Sequence, residues 1–445
     1  MTDYFIGVSS GLKYEMLKVL GEGGQGTVIQ VKNKENGKLY AAKWYKTSTT
    51  NDDQRKRMEV LVSRGCPVAP DKGIKFIWPI EMIKYDKSKE GFGYIMPLID
   101  TERFVSINKI ICGSVKQPNP KILSRISYLL ALAIDTIHVS GLAYCDINLG
   151  NFMVNTENGD IVICDNDNVV INNSNVSVKG VWEFMAPEVA LGTSHPNTET
   201  DRYSLAVILF YLWMWEHPMD GKKTLNIYSW DIPAKKKFYA FEPVFVFNPD
   251  NKSNDSSGVK ELDTCVKRWE RMCPPIVKEM FTTVFTRGIK DSSYRIQLID
   301  WQRVFLELIA NDILCPKCNS INVWDGKQEI FNCFNCKSEI PFYFYLSVDH
   351  GYNSFSYIIV APEATIKKHH INIINFNETS NDVLGIIEEH PNDSRASILR
   401  NKTKKTWKYK DGQGNEYTIE PEQARALIPN CEIIIESVSL KVRVR

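Results

Sequence analysis

What most restricts the fold of this chain is the order and spacing of five short polar segments that interrupt otherwise alternating or apolar sequence. They are G-E-G-G-Q-G-T-V from Gly21 to Val28, A-A-K ending at Lys43, Y-C-D-I-N-L-G-N from Tyr144 to Asn151, D-N-D from Asp165, and A-P-E ending at Glu188. Taken one at a time, each residue in them reads as an ordinary turn or surface residue. Taken together, they place a glycine loop, a strand lysine, two carboxylates and a carboxamide in one fixed sequence, which a fold must bring together for them to act.

With 445 residues the chain is too long for one compact core and is expected to form two or three domains. A net charge of +1 gives no global reason to bind nucleic acid or an anionic membrane. The N-terminus, M-T-D-Y-F-I-G-V-S-S, lacks a basic region followed by a long apolar run, and the apolar stretch Leu205 to Trp215 is well short of the ~20 residues that cross a bilayer. A cytoplasmic protein with no membrane span is the expectation. Of eleven cysteines, seven are scattered and four form two C-x-x-C pairs, which fits a reducing compartment and one metal site better than a disulfide framework.

Along the chain, Lys13 to Pro97 alternates in short runs, with T-V-I-Q-V-K-N and K-L-Y-A-A-K-W-Y reading as strands joined by a turn at Glu35-Asn36-Gly37. Asp52 to Ser63 reads as a helix, as do Pro120 to Val139 and the nearly all-apolar Ser204 to Trp215. Gly221 to Val259, rich in proline, asparagine and serine toward its end, reads as an extended insertion whose Phe241, Phe245 and Phe247 could anchor a partner or pin the segment to its own domain. Trp301 to Ile309 is a closing helix. From Phe342 onward, short strand-like runs separated by Asn, Asp, Gly and Pro turns suggest a small β-sandwich or barrel.

Gly21, Gly23 and Gly26 alone could mark a dinucleotide fold, but such a fingerprint must open a helix, and Thr27 to Val31 alternates like a strand. No Gly-Lys-Ser or Gly-Lys-Thr follows, so a Walker loop is excluded as well. With Lys43 on the next strand and the downstream segments in order, the chain from about residue 12 to 310 resembles the protein kinase family. The resemblance implies an α+β, two-lobed kinase fold: an N-lobe over 12–98 and a C-lobe over 99–311, with the insertion near 221–259. It also implies ATP with magnesium or manganese, a protein substrate, and transfer of the γ-phosphate to a protein hydroxyl, expected to be serine or threonine.

On that resemblance Gly21, Gly23, Gly24, Gly26 and Val28 cover the nucleotide, and Lys43 holds its α- and β-phosphates. Glu59, the only glutamate between Lys43 and Glu81, is expected to orient that lysine from the helix. Met96 is the expected gatekeeper, with the Pro97 carbonyl and the Ile99 amide meeting adenine. Asp146 matches the catalytic aspartate, and Asn151 and Asp165 the magnesium ligands.

The departures also carry information. Tyr144 and Cys145 stand where the family has histidine and arginine, so no cation beside Asp146 can clamp a phosphate on the following loop, and activation through Ser174 or Ser177 is not expected. Asn166 and Asp167 replace the usual Phe and Gly, which puts the Phe-out inactive state in doubt. Asn148 and Val181 replace a lysine and a threonine that flank the catalytic aspartate in serine/threonine kinases. Small-molecule kinases share the core set. What favours a protein acceptor is G-V-W-E-F-M-A-P-E, the helix carrying Asp201, which in the family anchors the catalytic loop, and Arg295, expected to pair with Glu188. Alternatives are a nucleotide-binding scaffold that has lost transfer, or a small-molecule kinase.

Cys315, Cys318, Cys333 and Cys336, spaced C-x2-C-x14-C-x2-C, offer four thiolates for a structural zinc, so 312–341 reads as a zinc ribbon. An iron-sulfur cluster is the minor alternative. The cation-rich run Asn401 to Lys410 reads as a solvated strand or hairpin edge, and nucleic-acid binding is not expected. Residues 342–445 form the expected β-rich interaction domain and faintly resemble a forkhead-associated sandwich without its Gly-Arg and Ser-x-x-His signatures. His369, His370 and His390 read as loop or surface residues. Kinase, ribbon and β tail in series also resemble bacterial kinases of tellurite-resistance clusters, which implies a von Willebrand A-domain protein and a phosphatase as partners.

Overall fold

A computed structural model describes residues 3–46, 52–67, 73–87, 91–174, 180–328, 330–351, 355–372 and 383–445. The N-terminal lobe holds β1 (Tyr4–Gly7), β2 (Lys13–Glu22), β3 (Gly26–Asn33), β4 (Leu39–Tyr45), α1 (Asp52–Arg64), β5 (Ile74–Phe76), β6 (Glu81–Tyr85) and β7 (Gly93–Pro97). Six of these strands close into an antiparallel barrel in the order β1-β2-β3-β4-β7-β6. The barrel starts at Tyr4, upstream of the boundary expected at residue 12, because β1 pairs with both β2 and β6 and closes the sheet. Period-2 alternation sends Phe5, Tyr14, Val31, Ala42, Ile83 and Ile95 into the barrel. The opposite face of β4 and β7, with Ala41, Tyr45, Tyr94 and Met96, joins Met58 and Leu61 of α1 in the core shared with the second lobe. The β3–β4 turn is set by Asn33, whose Oδ1 accepts from the amides of Glu35 and Asn36, and by Gly37 at φ +72°.

The second lobe is mainly helical: α2 (Ile107–Ile111), α3 (Pro120–Val139), α4 (Pro187–Ala190), α5 (Thr198–Met214), α6 (Ile232–Lys236), α7 (Asp263–Arg271), α8 (Pro275–Thr286) and α9 (Leu298–Ala310). The short strand β8 (Val105–Ser106) precedes α2, and β9 (Leu142–Ala143), β10 (Phe152–Val154), β11 (Ile161–Ile163) and β12 (Val170–Ile171) frame the loops between α3 and α4. Asn119 caps α3 through the Ile122 amide, with Pro120 at its first position. α3 is long and apolar enough to cross a bilayer by length and composition, but its apolar side is buried in the protein core. α5 is buried nearly all round, which explains its lack of a polar face.

The segment 221–259 does not stand out from this lobe as an extended insertion. Phe245 is buried against Phe210 and Phe285, and Phe247 stacks on Trp269 with ring centroids 4.3 Å apart. Asn254 is buried and donates to the carbonyls of Met219 and Val244. The turn-forming residues there tighten the segment onto the lobe, and of the three phenylalanines only Phe241, 72% exposed, faces outward.

After α9 come β13 (Asp312–Leu314) and β14 (Ile321–Val323), a hairpin beside the four cysteines. Then follow β15 (Phe344–Asp349), β16 (Phe355–Ile359), β17 (Thr365–Lys367), α10 (Lys368–Ile371), β18 (Val383–His390), β19 (Asp393–Asn401), β20 (Trp407–Lys410), β21 (Glu416–Ile419), β22 (Ala424–Ala426), β23 (Glu432–Ile435) and β24 (Val438–Val444). They form two sheets, β16-β15-β24-β23-β20-β21 and β17-β18-β19-β22, over one core that includes Leu346, Ile366, Ile387, Leu399, Trp407 and Leu440. Of the strand-like runs after Phe342, I-N-I-I-N-F has Ile371 as the last residue of α10 and Asn372 as its cap, and from residue 373 it lies outside the described residues. His369 and His370 are buried in α10, not on the surface, and their rings lie against each other with centroids 4.1 Å apart.

Candidate active site

β2 and β3 carry the glycine loop between them, closed by a Gly23 amide to Gly26 carbonyl bond of 2.9 Å. Its glycines serve two purposes. A Cβ on Gly26 would lie 2.3 Å from the Trp44 carbonyl oxygen, so Gly26 allows β3 to approach β4. No atom lies within 4 Å of a Cβ placed on Gly21 or Gly24, and Gly23 is nearly as open, so this stretch of backbone faces free space. Across the sheet, Val28 pairs with Lys43, Ala41 with Met96 and Tyr40 with Pro97. Met96 is buried, Pro97 ends β7, the Leu98 carbonyl accepts from Lys75 Nζ, and Ile99 is partly buried against the core.

Lys43 is buried, and its Nζ donates to Asp165 Oδ1 at 2.5 Å and to Asp167 Oδ2 at 2.6 Å. Glu59, expected to orient it, does not. Glu59 lies on the outer side of α1, half exposed, and pairs with Arg55 at 3.2 Å, because the helix turns Met58 and Leu61 inward and so directs its neighbour out. Asp167, fully buried, meets the lysine instead, and the same oxygen accepts from Tyr45 Oη at 2.5 Å. Burial works against charge on Asp167, but the Lys43 ammonium outweighs it and holds the carboxyl below its ordinary range. Burial and the charge of Asp167 push Asp165 up to about 6. One ammonium among Asp146, Asp165 and Asp167 leaves excess negative charge, a donor set that suits a hard divalent cation.

Asp146 lies in the loop between β9 and β10, and both of its oxygens are held by carboxamides. Asn148 Nδ2 donates to Oδ1 at 3.0 Å and Asn168 Nδ2 to Oδ2 at 3.0 Å, while Asn151 Nδ2 donates to the Asp146 carbonyl at 2.8 Å. Burial raises the Asp146 carboxyl above the usual range, opposed by these three amides. The loop itself hangs on Asp201 of α5, which accepts from the amides of Tyr144 at 2.7 Å and Cys145 at 2.9 Å. That grip holds Cys145 at φ 68°. Asn166, in the place of the family's Phe, is buried and donates to the carbonyls of Ile77 and Ile163. The resemblance gave no role to Asn168 or Asp167; their only signal was the unusual D-N-D-N composition.

Downstream, Arg295 clasps Glu188 through two parallel bonds of 2.7 and 2.8 Å and also donates to the carbonyls of Gly288 and Glu199. Val181 is exposed, and Glu183 pairs with Lys235 of α6 at 2.6 Å, which ties the 221–259 segment to the stretch before A-P-E. Far along the chain, the sulfurs of Cys315, Cys318, Cys333 and Cys336 lie within 4.8 Å of one another. Four thiols at that separation match a tetrahedral metal cage. Among the described residues no other cluster of metal-ligating side chains gathers this way.

A profile of the protein kinase domain matches residues 14–272. Among curated proteins, ribosomal protein S6 kinase alpha-2 of Homo sapiens is 28% identical over 236 residues, 50% of this chain and 30% of that protein. Ribosomal protein S6 kinase alpha-6 of Danio rerio is 27% identical over 271 residues, 56% of this chain and 34% of that protein. A probable serine/threonine-protein kinase KIN1 homolog of Enterocytozoon bieneusi (strain H348) is 24% identical over 415 residues, 84% of this chain and 63% of that protein. The chain thus spans about a third of the length of the S6 kinases it matches.

Proposed function

Since this chain belongs to the protein kinase family, we propose that it transfers the γ-phosphate of ATP to a serine or threonine hydroxyl of a protein. The observation that carries this reading is the carboxamide ring around Asp146. It aims a partly buried carboxylate of raised basicity, suited to accept the proton of an acceptor hydroxyl as that oxygen bonds to the γ-phosphorus and ADP leaves. Gly21, Gly23 and Gly24 leave room for phosphates beneath an open backbone. Lys43 holds the α- and β-phosphates, and the Pro97 carbonyl and Ile99 amide receive adenine. Asn151 and Asp165 would hold magnesium or manganese, whose chemistry is to neutralise charge on the phosphate oxygens. The Glu188–Arg295 clasp supports the segment against which a protein substrate lies, as the resemblance to protein rather than small-molecule kinases requires.

The same reading gives Cys315, Cys318, Cys333 and Cys336 one structural zinc. All four donors are cysteines, which leaves no open coordination position for chemistry. Residues 312–341 form its ribbon, and the two sheets of 342–445 serve as an interaction domain in a cytoplasmic enzyme. The test is transfer of radiolabelled phosphate from ATP, with magnesium or manganese, to the protein itself or to a generic protein. Asp165→Ala should lose at least ~10²-fold, on the scale of removing one electrostatic stabiliser of a transition state. Equal labelling by wild type and variant would sink the assignment, and labelling by neither would leave a nucleotide-binding scaffold.

A further inference from the structure

Lys43 is gripped by carboxylates that come from the D-N-D segment and not from α1. On the proposed reading Asp165 is committed to metal, so the standing partner of the lysine must be another carboxylate. Asp167 fits that part. Its Oδ2 lies 2.6 Å from Lys43 Nζ and 2.5 Å from Tyr45 Oη, and Tyr45 is the next residue on the same face of β4. Tyr45 is itself buried and packed on the rings of Phe92 and Tyr94.

The turn Asn166–Asn168 that carries Asp167 is fixed on both sides. Asn166 donates to the Ile77 and Ile163 carbonyls, and Asn168 donates to Asp146 Oδ2. One turn therefore places Asp165, the carboxylate for Lys43, and a donor for Asp146. Meanwhile α1 contributes Met58 and Leu61 to the core, and its glutamate is paired outward with Arg55.

We propose that Asp167 is the positioning residue for Lys43, so that the phosphate-binding lysine is set by the D-N-D turn and Tyr45 without any carboxylate from α1. The inference rests on the kinase reading. Its consequence is that α1 supplies no carboxylate to the lysine's ion pair and reaches it through Tyr45, to which Gln54 of α1 is hydrogen-bonded.

The experiment measures kcat and KM for ATP, and separately the Kd of a fluorescent ATP analogue with magnesium, for full-length wild type, Asp167→Asn, Tyr45→Phe and Glu59→Gln. Expected are a kcat/KM loss of ~10²-fold for Asp167→Asn with KM raised at least ~5-fold, a smaller loss of the same kind for Tyr45→Phe, and values within about twofold of wild type for Glu59→Gln. A purely structural role for Asp167 would lower Tm without raising KM, and that result overturns the proposal. So does a loss of more than tenfold in Glu59→Gln. A deficit in Asp167→Asn that tenfold more magnesium restores also overturns it, because Asp167 Oδ1, buried and without a partner, would then be a metal ligand. If Asp167→Asn fails to fold, the Tyr45→Phe and Glu59→Gln pair decides by the same criteria. A wild type that binds nucleotide but transfers nothing overturns the kinase reading while the Kd values still judge Asp167; a wild type that binds no nucleotide overturns both.

Discussion

At the scale of single residues, the position before Asp146 departs from the arginine that the resemblance to the family implies there. Cys145 is held at φ 68° by the bond from its amide to Asp201, and burial pushes its thiol well above the ordinary range, so it is neither a cation nor a nucleophile. Without a guanidinium there, a phosphate on the loop that follows has no clamp at Asp146. Protein treated with phosphatase, and Ser174→Ala, should therefore keep the initial rate within about twofold; Ser177, the second candidate, lies outside the described residues and is tested by the same substitution. A large loss that phosphorylation repairs would transfer the clamp to Arg57 of α1, whose charge reaches the Cys145 thiol and whose Nε is buried without a partner. The approach of Asn151 to Asp146 could be read in the sequence, because the two stand five residues apart in one short loop. The partner of Lys43 could not. Glu59 is the nearest helical glutamate, but the phase of α1 is set by Met58 and Leu61, and the carboxylate that meets the lysine lies two residues beyond Asp165 in the D-N-D segment itself.

At the scale of elements, the two cysteine knuckles repeat one design. The amides of Asn319 and Lys337 donate to the carbonyls of Cys315 and Cys333, and both residues adopt left-handed conformations, at φ 57° and 63°. About thirty residues of this kind bury little core, so the metal should supply their folding energy. One zinc per chain is expected by elemental analysis of full-length protein, and Cys333→Ser should release it and open 312–341 to proteases while phosphate transfer persists. Protein without zinc, or with an iron-sulfur absorbance, would refute that identity. The 221–259 segment gives a contrary lesson. Its proline, asparagine and serine content suggested an exposed insertion, but composition reports turns and not exposure, and the anchors lie at long range in Phe210, Trp269 and Phe285. Phe245→Ala should accordingly destabilise the protein by ~3 to 5 kcal/mol in denaturant titration, as expected for an emptied aromatic site. Loss of partner binding with unchanged stability would restore the docking reading.

At the scale of the whole molecule, residues 312–341 and the β region after them are joined to the helical lobe by a polar seam that no local pattern could reveal, since its partners lie 46 to 191 residues apart. Asn311, at the end of α9, donates to the Tyr357 carbonyl at 2.7 Å and accepts from the Ile359 amide at 2.8 Å. Asp325 accepts from the Ile276 amide at the start of α8, and Lys121 pairs with Asp312. One turn back on α9, Glu307 Oε1 accepts from Ser356 Oγ at 2.8 Å, and His350 Nε2 lies 2.8 Å from the same hydroxyl. Burial pushes the Glu307 carboxyl up to about 7, against the opposing effects of the Ser356 bond and Arg303. A carboxyl that holds its proton more tightly in the folded chain stabilises it below the ordinary glutamate pKa, and that contribution disappears as pH rises through about 7. Glu307→Gln keeps an acceptor for Ser356 but cannot ionise. Melting curves of wild type and variant should therefore lie close together near pH 5 and separate toward pH 8, with the variant the more stable, while their transfer rates at a common pH agree because Glu307 lies outside the catalytic set. Parallel melting temperatures across that range would show that the seam does not sense the proton, and that Glu307 is charged and solvated in the folded protein.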